Sequence, residues 1–60
     1  MDWREVNCLI EALALLVERY KTRRLDTTDE DELSDLSNDL AYTEILLGHY
    51  RQKRDELAKR

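Results

Sequence analysis

The chain has 60 residues, 40% of them charged, with one cysteine and no proline. That length holds one domain at most, and one that folds alone hides only about 60% of the surface its unfolded form exposes. A lone cysteine excludes an internal disulfide, 42% hydrophobic residues exclude a disordered polyampholyte, and a net charge of −4 argues against indiscriminate binding to nucleic acid or anionic membrane.

The longest apolar run, Ala12 to Val17, falls far short of the roughly 20 residues of a membrane span. The opening residues Met1-Asp2-Trp3-Arg4-Glu5 lack the apolar core of a secretory signal. With a single unpaired thiol, these features lead to the expectation of a cytoplasmic protein with no membrane contact.

The first helix is predicted over about residues 2–24. Asp2 and Glu5 form a capping-box-like pair at its start. Trp3, Val6, Ile10, Leu13, Val17 and Tyr20 then follow at spacings of 3-4-3-4-3, a heptad seam. A turn is expected over about 25–28, where Asp26, Thr27, Thr28 and Asp29 favour turns and caps. Thr27 with Glu30, or Thr28 with Asp31, would open the second helix, predicted over about 29–58. Its seam runs Leu33, Leu36, Leu40, Thr43, Leu47, Tyr50, Arg54 and Leu57. Pairing Tyr20 with Leu33, Leu13 with Leu40 and Trp3 with Tyr50 makes facing positions add to 53 throughout, with a midpoint inside the turn. The expected fold is therefore all-α: an antiparallel two-helix hairpin forming a single domain over residues 1–60. In that register residues 51–60 overhang the first helix.

Residues 26–44 carry eight acids and no base, whereas Arg19, Lys21, Arg23 and Arg24 lie just before them and Arg51, Lys53, Arg54, Lys59 and Arg60 close the chain. Bases at helix C-termini and acids at a helix N-terminus complement the helix dipole, which explains most of this pattern.

A hairpin needs one apolar stripe per helix, and the first helix has more. Leu9 and Leu16 flank its seam, and Cys8, Ala12 and Leu15 carry the apolar arc further round. We therefore expect these five residues to drive self-association, most simply into a homodimeric four-helix bundle. On the second helix Tyr42, Ile45, Leu46 and His49 form a mixed aromatic and aliphatic patch suited to a protein partner. Arg51 and Arg54 join them as partner-binding candidates, and the basic C-terminal segment is the one place where nucleic acid would be met.

No constellation points to catalysis, a cofactor or a metal. His49 is the single histidine, and its neighbours four residues away are Ile45 and Lys53. Cys8 has no histidine placed to activate it. Gly48, inside the second helix, suggests either close approach of Trp3 or a partner helix, or a tolerated defect. The reading is a small non-catalytic regulatory or adaptor protein that acts as a homodimer.

Two resemblances accompany it. Length, acidic charge and layout are similar to the Rop family, small plasmid proteins whose helical hairpins dimerise and bind RNA hairpins. That resemblance implies RNA binding as the alternative function. The segment Leu36-Ser37-Asn38-Asp39-Leu40-Ala41 resembles the Ser-Gln-Glu-Leu-Asp signature of the small sporulation-control phosphatases. Ala41 stands where that family has its functional aspartate, so no site is carried over.

Overall fold

The computed structural model describes residues 2–59; Met1 and Arg60, including the last base of the C-terminal segment, lie outside the described residues. Two helices make up the fold, α1 over Trp3–Asp26 and α2 over Glu30–Ala58. A connection of three residues, Thr27 to Asp29, folds α2 back along α1 in a rod of 47 × 14 × 13 Å.

The helix ends follow from local chemistry. Asp2 is extended and accepts a hydrogen bond from the Glu5 amide at 2.8 Å, as the capping pair predicts. At the turn the outcome differs from expectation. Asp29 caps α2, accepting from the amides of Asp31 at 2.9 Å and Glu32 at 3.3 Å. One carboxylate oxygen accepts from both amides, and its negative charge sits at the positive end of the helix dipole, which a neutral threonine hydroxyl cannot match. Thr27 turns the other way: it is the C-cap of α1, and its hydroxyl donates to the Arg23 carbonyl at 2.8 Å. That bond satisfies a last-turn carbonyl and lets α1 run two residues past its predicted end.

Val6, Ile10, Val17, Leu40 and Leu47 form a single buried cluster, with Leu13, Ala14, Tyr20, Tyr50 and Leu57 packed against it. Leu36 is buried as well. All but Ala14, which stands beside the seam, are seam residues of the heptad pattern, and each fully buried aliphatic side chain contributes about 1.5–3 kcal/mol. Thr43 enters the seam at no polar cost, because its hydroxyl donates to the Asp39 carbonyl at 2.7 Å.

Most seam residues are as predicted, although Trp3 is 48% exposed at the open end; their pairing is not. Ala14, Val17, Glu18 and Lys21 line one groove together with Glu44, Leu47, Gly48 and Arg51. In the register adding to 53 these two sets would stand about 18 Å apart along the rod, at 1.5 Å per residue. Leu57, placed beyond the hairpin by that register, packs against the core. A slip of one heptad, to facing positions that add to 60, keeps every seam residue in the seam, shortens that separation to about 7.5 Å and brings Leu57 level with Trp3. The long side chains of Arg23 and Glu32, whose positions add to 55, span the remaining offset. Leu13 then lies level with Leu47, Val17 with Thr43, Tyr20 with Leu40 and Trp3 with Leu57. The expected overhang of residues 51–60 disappears, since α1 reaches nearly to the end of α2.

Candidate interaction face

The seam divides the hairpin surface into two flanks. On one lie Ala14 and Lys21, each one residue after a seam position of α1, and their counterparts Glu44 and Arg51 on α2. They share a shallow groove of about 260 Å³, with Val17, Leu47 and Gly48 in its floor and Glu18 beside them. Four charged side chains make this flank polar.

The other flank holds the residues one position before the seam. Arg23 of α1 and Glu32 of α2 occupy such positions, and they meet in an ion pair at 3.4 Å, so these two rows lie on the same side. Four turns and two turns earlier on α1 the same row carries Leu9 and Leu16, both half-buried, and on α2 it carries Leu46, also half-buried. The surface continues round α1 through Cys8, Ala12 and Leu15 and round α2 through Tyr42, Ile45 and His49. Leu15 is 67% exposed, Tyr42 65% and Ile45 59%. In the register adding to 60, Leu15 and Leu16 are level with Ile45 and Leu46, so both helices contribute to the middle of one apolar face.

The self-association set Cys8, Leu9, Ala12, Leu15 and Leu16 is thus brought together, and Tyr42, Ile45, Leu46 and His49 stand beside it as its continuation. Arg51 is elsewhere, on the groove flank. Arg54 is half-buried at a seam position near the open end. These two arginines do not join the apolar patch. Sequence reasoning did not foresee the polar groove, because its residues come from turns of the two helices that the register adding to 53 keeps apart. Trp3 and Leu25, 48% and 87% exposed, mark the two ends of α1.

The Cys8 thiol is free and exposed. Among the described residues no three histidine, cysteine or acidic side chains converge as a metal site, and no helix is long and apolar enough to cross a membrane. No protein-family model, curated protein or solved structure matches the chain.

Proposed function

We propose that this chain is a small cytoplasmic adaptor or regulatory protein without catalytic activity, which works through protein–protein contacts as a homodimer. The observation that carries the reading is the apolar face. Leu15, Tyr42 and Ile45 are each more than half exposed on one side of a hairpin whose other flank is charged. Each large aliphatic side chain left in water forgoes about 1.5–3 kcal/mol, so the face is built to be covered. The free thiol fits a reducing cytoplasm.

Light scattering at micromolar concentration tests the reading. We expect about twice the chain mass of 7.2 kDa. Ile45→Lys and Leu15→Glu alter side chains that a lone hairpin leaves in solvent, so they should lower the mass to that of one chain or couple dissociation to unfolding. A folded wild-type monomer would overturn the homodimer. Sub-micromolar RNA binding near 150 mM salt, lost in Arg51→Ala and Arg54→Ala, would replace this reading with the Rop-like one.

A further inference from the structure

We propose that the apolar face mates with the same face of a second copy in head-to-tail orientation, the turn of each hairpin beside the open end of the other. This rests on the homodimer reading and supplies its geometry.

Surface area argues for an occupant of this size. The hairpin exposes 4818 Å². Folded monomers of its mass follow a scaling that gives about 4,100 Å², so about 700 Å² is in excess. A stable interface takes about 800 Å² from each partner. The rod is short of burial by nearly the area that one copy of itself would cover.

The choice of face follows from the flanks. Glu18, Lys21, Glu44 and Arg51 rim the groove side. The opposite side offers Leu16, Leu46, Ile45 and Tyr42 around mid-rod. Pairing through that side leaves the groove of each protomer facing outward.

Orientation follows from the distribution of charge. Residues 18–39, the turn half, carry four bases against eight acids, a net charge of −4, while the open half, residues 1–17 and 40–60, carries six bases against six acids and is neutral. Two hairpins with their turns together would set two such acidic ends side by side, within the Debye length of ~8 Å at physiological salt. Head-to-tail pairing instead sets each acidic turn beside the neutral open end of the partner, whose bases lie on α2. The midpoint of α2 over Glu30–Ala58 is residue 44, so a two-fold axis through mid-rod levels Lys53 with Asp35 of the partner subunit. His49 falls level with Asp39 of the partner subunit in the same way. Opposite charges therefore meet at both edges of the apolar centre.

Distance measurement between the two turns decides the matter. A spin label on Thr28→Cys in a Cys8→Ala background, read by double electron–electron resonance, should give about 40 Å head-to-tail, since α2 alone spans that length at 1.5 Å per residue. Turns lying together would give less than about 20 Å, two interaxial spacings, and would overturn this orientation while leaving the dimer standing. Absence of any intermolecular distance, with a single-chain mass for unlabelled wild type, would overturn the homodimer itself. In a second measurement, Lys53→Glu should raise the dissociation constant several-fold at low salt, and adding Asp35→Lys should restore it. Failure of that rescue would also count against head-to-tail pairing.

Discussion

Gly48 sits inside α2 with no positive φ, and an added Cβ would meet nothing within 4 Å. Among the described residues neither Trp3 nor any other group approaches it closely, so the glycine carries only the entropic penalty of its backbone freedom. Gly48→Ala should raise the unfolding free energy by about 1 kcal/mol, read as a higher urea midpoint at unchanged slope. A loss of stability would show that something fills the groove above it. Asp29 shows the opposite situation, a residue whose single side chain organises a terminus. Three candidates for that cap stand within three positions, and among Thr27, Thr28 and Asp29 only Asp29 brings a negative charge to the positive end of the helix dipole. The Thr27 hydroxyl is committed to the Arg23 carbonyl behind it. Arg23 in turn reaches Glu32 across the turn, but both side chains are about half exposed, which limits that pair to about 0.2–1 kcal/mol.

At the level of the helices, the heptad pattern specifies which residues enter the seam and leaves their pairing open. A slip of seven residues returns every seam position to a seam position, so registers adding to 53 and to 60 both bury the same side chains. Contacts break this tie: Leu57 packs on the core, and Ala14 and Val17 share a groove with Leu47 and Gly48, both of which favour the register adding to 60. Trp3 gains Leu57 as its layer partner, and half-buried Arg54 comes level with Val6. Leu13→Ala and Leu47→Ala should each cost roughly 2–5 kcal/mol. Their double mutant should be clearly non-additive, because the two side chains share a layer. Leu13→Ala with Leu40→Ala should be additive within about 0.5 kcal/mol, since those positions lie about 10 Å apart along the rod. Coupling in the second pair and none in the first would restore the register adding to 53.

The molecule as a whole is a rod of two helices, and a rod has too little interior. Val6 is fully buried, yet Leu15, Tyr42 and Ile45 are all more than half exposed. A compact shape would bring them inside; a hairpin 47 Å long cannot. Assembly is the remaining route to burial, and an assembled protein gains stability by mass action. The thermal midpoint should therefore rise with protein concentration in wild type and stay constant in Ile45→Lys if that variant remains folded. A concentration-independent midpoint for wild type would mean that the face is left open for a foreign partner.

Sequence by itself determined the two helices, the Asp2 cap, the membership of the seam and the excess of apolar surface on α1. All of these are written in spacings of three and four residues along one chain, and the helix makes such spacings legible. The register, the cap of α2 and the union of the Leu9–Leu16 and Tyr42–His49 surfaces were decided by the tertiary structure. Each depends on how one helix is placed against the other. That placement is read from the packing of Leu57 on the core and from the shared groove, to which a repeating pattern is blind because it looks the same after every seven residues.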